Sequence, residues 1–314
     1  MMDGMVAVDG LARLFQNESY IRALVGGSVV ALLCSLLSVY VVFKRMAFIG
    51  QGISHSAFAG VGIAMLLGLY LPWLRDPLAR DGVIALSCVF TALTIGYLAR
   101  SGRISEDSAI GICLVGAMAL GLVLLDVRGL LLDRMLASGQ LSPGELGYTP
   151  GFHHILFGNI LFVTTAEVWI AGILAGLVLV GMLLLFKELV FFAFDEETSQ
   201  VFGVPAGLLY FLLLILLALA VVAAMRTLGV ILASALLVLP GASARYWSNR
   251  IGWVVAVSVL VGVLSLVVGL LLAVVIKKLS PGPVIALMLV VAFIFSYLFH
   301  RVRSWRRQRS ETAD

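Results

Sequence analysis

One histidine of the chain, His55, lies within a run of apolar residues, and Gln51 precedes it by four positions. In a helix this spacing places both side chains on one face. A neutral imidazole is a good ligand for divalent metals, whereas an amide oxygen is a weak and uncharged one. An ionisable group among residues that span a membrane is costly and usually functional. The pair therefore indicates a functional face, and the alternative is a histidine that hydrogen-bonds to a neighbouring helix.

Other constellations that carry chemistry are absent from the sequence. There is no GxxxxGK[ST] phosphate loop, so we expect no ATP binding of that type, and neither HExxH nor GxSxG occurs. The three cysteines lie inside apolar blocks without metal-ligand spacing and are interpreted as packing residues. Glu106 and Asp107 follow Ser105, which predicts a capped helix start with favourable charge rather than a metal site. These observations favour a protein that is not an enzyme.

The helix that carries His55 and Gln51 is one of several long apolar runs in the chain. Hydrophobic residues make up 62% of the 314 residues and charged residues only 12%, whereas a soluble domain has roughly 25% charged residues. The runs have the ~20 residues that cross a bilayer. We predict an all-α, polytopic transmembrane helix bundle of about nine spans, or eight if the short run 228–239 does not cross. The runs cover residues 20–43, 53–71, 83–99, 109–125, 168–186, 206–225, 228–239, 253–276 and 284–299.

Basic residues are distributed unequally between the connectors, and this predicts the orientation. One set of connectors carries Lys44, Arg45, Arg100, Arg103, Arg245, Arg250 and the arginines between 301 and 309. By the positive-inside rule this set is cytoplasmic. The expected organisation is an extracytoplasmic segment 1–19, a transmembrane domain 20–300 with an outer loop 126–167, and a basic cytoplasmic tail 301–314. Arg226, Lys277 and Lys278 fall on the outer side against the rule. The net charge of +4 is explained by topology, and no nucleic-acid partner is expected.

Small residues and acidic connectors have ordinary interpretations. Gly172 and Gly176 form a GxxxG pattern, and Gly60 and Gly62 lie in the second run with Ala57 and Ala59. Small residues let helices approach closely in lipid, so we interpret both groups as packing positions. The acidic stretch Asp195, Glu196 and Glu197 is interpreted as a solvated cytoplasmic connector.

Several stretches together carry a family resemblance. They are FKRMAFIGQGISHSAFAGVG at 43–62, SEDSAIG at 105–111, DEETSQVFGVP at 195–205 and TLGVILASALLVLPGASAR at 227–245, with LFGN at 156–159 and SPGP at 280–283. In this order, and over most of the chain, they resemble the permease subunits of ATP-binding-cassette (ABC) importers for zinc, manganese and iron. The N-terminal segment and part of the 126–152 loop are outside the resemblance.

The resemblance implies a fold of the large-bundle type that serves vitamin B12 and iron chelates. It implies a homodimer in the bacterial inner membrane, two cytoplasmic ATPase subunits and an extracytoplasmic metal-binding protein. The divalent metal would be the transported substrate, with no stably bound cofactor.

The resemblance also assigns roles to particular residues. His55 and Gln51 fall on the translocation pathway, although family members often have Asp where this chain has Gln51, and the amide weakens the pair. The ATPase-coupling element is expected at residues 240–250, as a short helix from Ala242 to Arg250 at the inner surface, after a proline that limits the preceding helix. The coupling residues would be Pro240, Gly241, Ala242, Ser243, Ala244 and Arg245.

His153 and His154 in the outer loop would meet an incoming metal, although adjacent loop histidines are more often simply solvated. Two rival functions stay open. One is an ABC permease for an iron chelate, which the weakened Gln51 face keeps in consideration. The other is a secondary metal transporter that needs no ATPase. The sequence does not choose among zinc, manganese and iron, because affinity alone does not separate these metals in proteins.

Overall fold

The computed structural model describes residues 18–138, 160, 163–276 and 279–311, with side chains as far as Trp305 at the C-terminal end. Every regular element within these ranges is helical, which confirms the all-α prediction. A 3₁₀ turn, Pro72–Arg75, separates α2 from α3. The helices are α1 (Glu18–Phe43), α2 (Ile49–Leu67), α3 (Pro77–Arg100), α4 (Glu106–Ala137), α5 (Thr165–Leu184), α6 (Phe186–Phe194), α7 (Glu196–Val201), α8 (Ala206–Leu228), α9 (Val230–Leu236), α10 (Leu239–Ala244), α11 (Ile251–Ile276) and α12 (Pro281–Glu311).

Eight of the described helices are long and apolar enough to cross a membrane, namely α1 to α5, α8, α11 and α12. The short predicted run 228–239 is not a single helix. Helix α8 continues to Leu228, Gly229 follows with a φ of 84°, and the chain then forms the two short helices α9 and α10. A residue with a side chain is strained at this φ, so the glycine permits the break. This predicted span is therefore a pair of short helices, α9 and α10, which we call the broken pair.

The broken pair connects the two ends of the bundle. At its beginning, Arg226 near the end of α8 forms an ion pair with Asp81 in the second turn of α3. At its end, the carbonyl of Tyr246 lies 3.0 Å from Nδ1 of His300, in the C-terminal half of α12. The chain therefore passes from one face of the bundle to the other between Arg226 and Tyr246. The broken pair therefore runs from one face of the bundle to the other, although neither α9 nor α10 alone has the length of a membrane span.

Basic side chains share one end of the bundle, which we call the basic face: Lys44, Arg45, Arg100, Arg103, Arg245, Arg250, Arg301 and Arg303. Two contacts tie this end together, because Lys44 and Arg100 both pair with Glu196. Arg226 lies at the opposite face, as the sequence predicted, whereas Lys277 and Lys278 lie outside the described residues. The described residues of the two predicted sets of connectors thus lie at opposite ends of the bundle.

Two helices extend beyond their predicted ends. Helix α4 continues to Ala137, so the first part of the predicted outer loop 126–167 is helical. Helix α12 continues to Glu311 and includes most of the predicted basic tail. In both places a charged residue ends the apolar run but no proline ends the helix, and Asp, Arg and Glu are tolerated in an exposed helix. Hydropathy therefore marks the end of the span and not the end of the helix.

The core of the bundle is formed by α1, α2 and α8, which are mostly buried, whereas α4, α5 and α12 are largely exposed. Helix α2 packs against both α3 and α4. A Cβ at Gly60 would lie 2.7 Å from the Cα of Ile84, and one at Gly62 would lie 2.7 Å from the carbonyl oxygen of Gly121. These glycines therefore have the packing role that the sequence indicated. The His55 face belongs to one of the most enclosed helices of the chain.

Candidate functional site

Helix α2 positions both residues of the predicted site. It begins at Ile49, after a tight turn in which Arg45 adopts a φ of 59°. Gln51 lies in the first turn and is exposed, and His55 follows one turn later and is half-buried. The i, i+4 spacing therefore places the amide nearer to the basic face and the imidazole deeper in the bundle.

The imidazole of His55 lacks the partner that a structural histidine would have. Its ring stacks on Phe58 with the centroids 6.0 Å apart and the planes at 18°. Its Nδ1 is buried, and no described residue forms a hydrogen bond with that nitrogen. A buried polar atom without a partner is uncommon and requires an explanation, such as an ion or water that binds there. The interpretation of His55 as a hydrogen bond between helices gains no support from the described residues.

The two serine side chains on this helix form local hydrogen bonds. Ser54 donates to the carbonyl of Gln51 at 3.1 Å, and Ser56 donates to the carbonyl of Ile53 at 2.6 Å. Ser87 of α3 donates to the carbonyl of Ser56 at 3.1 Å. Within the part of the chain that the structure describes, the buried side-chain nitrogen of helix α2 without a hydrogen-bond partner is therefore Nδ1 of His55.

Helix α9 lies beside α2 and α12. A Cβ built on Gly50, one residue before Gln51, would lie 3.0 Å from Leu237, which directly follows α9. The hydroxyl of Ser234 in α9 donates to the carbonyl of Ile231 at 2.9 Å. The broken pair thus runs alongside the His55 helix, and sequence reasoning did not connect the two. Within the described ranges, no group of three or more His, Cys, Asp or Glu side chains is close enough to hold a metal ion.

Most of the predicted coupling residues are packing residues in the chain itself. Pro240, Gly241, Ser243 and Ala244 are buried, Ala242 is half-buried, and Arg245 is exposed. The backbone N–H of Gly241 donates to the hydroxyl of Ser38 in α1 at 2.8 Å, and that hydroxyl donates to the carbonyl of Val238 at 3.2 Å. Among the predicted coupling residues, Arg245 is therefore the one with an exposed side chain.

The predicted short helix from Ala242 to Arg250 is displaced. The helix runs from Leu239 to Ala244, and residues 245–250 form a turn. Trp247 holds this turn against α12, because its Nε1 donates to the hydroxyl of Ser296 at 3.0 Å and its ring stacks on Phe299. Proline is tolerated in the first turn of a helix, so Pro240 lies in the first turn of α10 instead of preceding the helix.

Helices α6 and α7, which are shorter than a membrane span, form a second element on the basic face. Asp195 caps α7 and accepts a hydrogen bond from the N–H of Thr198 at 2.9 Å. The hydroxyl of Thr198 also donates to this carboxylate, and these bonds hold the pKa of Asp195 below its usual range. Glu196 is not the solvated residue that the sequence predicted, since it is half-buried and pairs with Lys44 at 2.6 Å and Arg100 at 3.3 Å.

The end of α7 exposes two apolar side chains that sequence reasoning missed. Val201 is 85% exposed and Phe202 is 75% exposed, on a connector outside the membrane-length helices. Two neighbouring apolar side chains that are this accessible form a candidate interaction surface. The signal in the sequence was an apolar pair within an otherwise acidic and polar connector. We call Val201 and Phe202 the exposed pair.

Two further sequence predictions have clear outcomes. Ser105 caps α4, because its hydroxyl accepts a hydrogen bond from the N–H of Ser108 at 3.2 Å, as predicted. Glu106 does more than balance helix charge, since its carboxylate accepts a hydrogen bond from the hydroxyl of Tyr210 at 2.6 Å. His153 and His154 lie outside the described residues.

Comparisons with known proteins extend over nearly the whole chain. The model of the ABC 3 transport family matches residues 16–300. The manganese transport system membrane protein MntC of Halalkalibacterium halodurans is 31% identical over 301 residues, which are 94% of each chain. The chelated iron transport system membrane protein YfeD of Yersinia pestis is 32% identical over 90% of this chain and 86% of that protein.

Solved structures agree with these relatives. A chain of PsaBC from Streptococcus pneumoniae, determined in complex with Fab, matches with a TM-score of 0.73 and 27% identity, over 92% of this chain and 95% of that one. An inward-facing metal-chelate type ABC transporter matches with a TM-score of 0.61 and 17% identity, over 89% and 85%. The second comparison supports the fold alone, because its identity is low.

Proposed function

Because the chain belongs to the ABC 3 transport family, we propose that it is the permease subunit of an ATP-driven importer for a divalent metal ion. Relatives across its full length are named for the transport of manganese and of chelated iron. The observation that carries the proposal is the buried Nδ1 of His55, which has no partner among the described residues and lies on a core helix.

The metal is the substrate, and α2 is the helix that it passes. Gln51 near the basic face and His55 one turn deeper supply an amide oxygen and an imidazole nitrogen along one line. Weak ligands suit a pathway, because an ion that enters must also leave. Alternating access exposes this line to one side of the membrane at a time, and ATP binding in the partner shifts the balance between the two states.

A cytoplasmic ATPase subunit would bind on the basic face. The exposed pair offers an apolar contact there, and Arg245 offers a charged contact on the neighbouring turn. Aromatic and arginine side chains of this kind are enriched at the centres of protein interfaces. The proposed coupling surface is therefore the exposed pair together with Arg245, and the buried residues Pro240 to Ala244 hold the Arg245 turn in place.

A homodimer would bury apolar surface that this chain leaves open. A Cβ at Gly172 or Gly176 in α5 would meet nothing within 4 Å, so the GxxxG pattern does not pack inside the chain as the sequence suggested. Small-xxx-small patterns support close approach between helices of different subunits in lipid.

The orientation follows from the same charges. With the basic face in the cytoplasm, the C-terminus of α12 is inside and the start of α1 is outside. An extracytoplasmic metal-binding protein would deliver the ion to the opposite face, where the Asp81 and Arg226 pair lies. His153 and His154 keep their proposed role as an outer metal contact.

The direct test is reconstitution of the chain with its ATPase subunit in proteoliposomes. We expect uptake of Mn²⁺ that requires ATP, and no ATP hydrolysis by the chain alone. Uptake that proceeds without the ATPase would favour a secondary transporter. Competition by an iron chelate, but not by free Mn²⁺ or Fe²⁺, would favour a chelate permease instead.

A further inference from the structure

We propose that Glu196 is a positioning residue that links the ATPase-coupling surface to the translocation helix α2. The inference deepens the proposed function and rests on it. Glu196 is the first residue of α7, the six-residue helix that ends at Val201. Its carboxylate faces the bundle, and the exposed pair at the other end of the helix faces solvent. Helix α7 therefore carries the carboxylate that contacts the bundle at one end and the exposed pair at the other.

The internal contact reaches the turn that starts α2. Nζ of Lys44 lies 2.6 Å from Oε2 of Glu196, and the Lys44 side chain is only 12% exposed. The same Nζ lies 3.7 Å from the ring centre of Phe192 in α6. An amine that is held by both a carboxylate and an aromatic ring has little freedom to move alone. A displacement of α7 would therefore displace the end of α1 at Lys44.

The turn after Lys44 is tight and hydrogen-bonded. The N–H of Lys44 donates to the carbonyl of Tyr40 at 2.9 Å, and the N–H of Met46 donates to the carbonyl of Val41 at 2.9 Å. Arg45 between them has a φ of 59°, so the backbone that connects α1 to α2 has little conformational freedom at this residue. Helix α2 then starts at Ile49. A movement of Lys44 would be transmitted over a few residues to Gln51 and, one turn later, to His55.

The second oxygen of Glu196 reaches a different helix. Its Oε1 lies 3.3 Å from a guanidinium nitrogen of Arg100, at the end of α3. Arg100 in turn lies over the ring of Tyr210, 5.4 Å from its centre. Helix α3 packs along α2, so Glu196 contacts both the helix that precedes α2 and one that flanks it. A single carboxylate thus connects α7 with two neighbours of the pathway helix.

Apolar packing holds α6, which directly precedes α7, to the bundle independently of this carboxylate. Leu189 and Phe192 are completely buried, and the rings of Phe43 and Phe194 lie 4.6 Å apart. Removal of the Glu196 charge should therefore weaken the link without detaching the element. This distinction allows a loss of coupling to be separated from a loss of folding or of ATPase binding.

The test uses the complete transporter, co-expressed with its ATPase subunit and placed in proteoliposomes. The matched pair of variants is Glu196→Gln and Glu197→Gln, because Glu197 is exposed and forms no ion pair with any described residue. We expect Glu196→Gln to lower the Mn²⁺ transported per ATP hydrolysed by roughly five- to tenfold, the scale on which mutations alter coupling between sites. Glu197→Gln should stay within about twofold of the unmodified complex.

A double-mutant cycle with Lys44→Gln examines the link itself. If Lys44 and Glu196 act as one unit, the double variant will lose no more coupling than Glu196→Gln alone. Losses that multiply, or an unchanged ratio in Glu196→Gln, would overturn the proposal. Failure of Glu196→Gln to co-purify with the ATPase would also overturn it, since the residue would then serve docking and not transmission.

A second readout does not depend on the transported metal. A cysteine introduced by Gln51→Cys, in a chain with Cys113→Ala, reports accessibility of α2 to a maleimide, because the remaining thiols Cys34 and Cys88 are buried. We expect the labelling rate to change when ATP is trapped on the ATPase, and Glu196→Gln to abolish that change. A change that persists in Glu196→Gln refutes the link. A change that is abolished, in a complex that transports no Mn²⁺, upholds the link and rejects the proposed substrate.

Discussion

The hydroxyl of Ser38 joins α1 to α10 through two hydrogen bonds, as an acceptor from the N–H of Gly241 at 2.8 Å and as a donor to the carbonyl of Val238 at 3.2 Å. The helices approach so closely here that a Cβ at Gly241 would lie 2.6 Å from the carbonyl oxygen of Ser38. The segment that leads to the exposed Arg245 turn is therefore fixed to the core.

Gly241→Ala should destabilise the folded chain, because the added methyl group meets backbone that cannot move aside. Overpacking of this kind costs about 1–3 kcal/mol. The measurement is the thermal unfolding midpoint of the purified chain in detergent. The matched control is Gly252→Ala in the first turn of α11, where a Cβ would meet nothing within 4 Å. An equal effect at both positions would show that close packing at Gly241 is not the cause.

Asp81→Asn should destabilise the opposite face, because it leaves the Arg226 guanidinium without its carboxylate. Both side chains are only 14% exposed, so water replaces the lost contact poorly. Loss of one partner of a charged and shielded hydrogen bond costs about 1–3 kcal/mol. The double variant Asp81→Asn with Arg226→Gln should recover part of the loss in the same unfolding measurement. Strictly additive effects of the two single changes would contradict a direct pair.

Asp195→Ala should loosen α7, because the helix loses the carboxylate that accepts the N–H of Thr198. Faster hydrogen exchange at residues 196–201 is the expected result, and Asp195→Asn should retain most of the protection. The same bonds lower the pKa of Asp195, so the carboxylate stabilises α7 above the ordinary carboxyl pKa and loses that effect only as pH falls through the lowered value. Protection of α7 that declines near neutral pH would contradict this assignment.

The exposed pair should be required for ATPase binding and not for folding. Val201→Ser with Phe202→Ser removes two apolar side chains that are mostly exposed, although the ring of Phe202 lies 5.8 Å from the ring of Phe191. Removal of an interface anchor of this kind costs about 2 kcal/mol or more of binding free energy. The measurement is recovery of the ATPase with an affinity-tagged permease, with Gln200→Ser on the same exposed helix as control. Full recovery of the ATPase by the double variant would place docking elsewhere.

Much of the architecture could be predicted from the sequence, because apolar runs of bilayer length leave the backbone little choice but helix. The separation of basic connectors onto one face and the placement of Gln51 and His55 on one helix were predicted in the same way. The break at Gly229 could not be predicted, since the apolar run continues through it and only the φ of 84° reveals the turn. The extension of α4 to Ala137 was missed because charge ends a span without ending a helix.

The candidate site was only partly predictable, for a different reason. Periodicity says which face a residue occupies but not what lies opposite it. Glu196 was assigned to solvent because its acidic neighbours suggest a solvated connector, yet Lys44 and Arg100 come from helices that are distant in sequence. The same limitation applies to the predicted coupling residues Pro240 to Arg245, because the sequence does not reveal that Pro240, Gly241, Ser243 and Ala244 pack against the bundle. In both cases the position of the residues depends on contacts with residues that are distant in sequence.

Gln51→Asp should strengthen the interaction with metal at the α2 face, because a charged oxygen ligand replaces a neutral amide one turn from His55. The expected result is tighter Mn²⁺ binding by the purified complex, with uptake that is slower at saturating Mn²⁺ because the ion leaves less readily. Binding is measured by calorimetry, with Gln51→Asn as the uncharged control. Unchanged affinity in Gln51→Asp would indicate that the ion does not pass this side chain.

The most direct measurement is ATP-dependent Mn²⁺ uptake by the reconstituted complex that carries His55→Ala. The buried Nδ1 without a described partner is interpreted as a transient ligand for the ion, so its removal should abolish uptake. Assembly with the ATPase and ATP hydrolysis by the complex are measured on the same sample, which separates loss of the ligand from loss of the fold. The account predicts an assembled complex that hydrolyses ATP without importing Mn²⁺. Normal uptake by an assembled His55→Ala complex would contradict it and leave His55 a packing residue of α2.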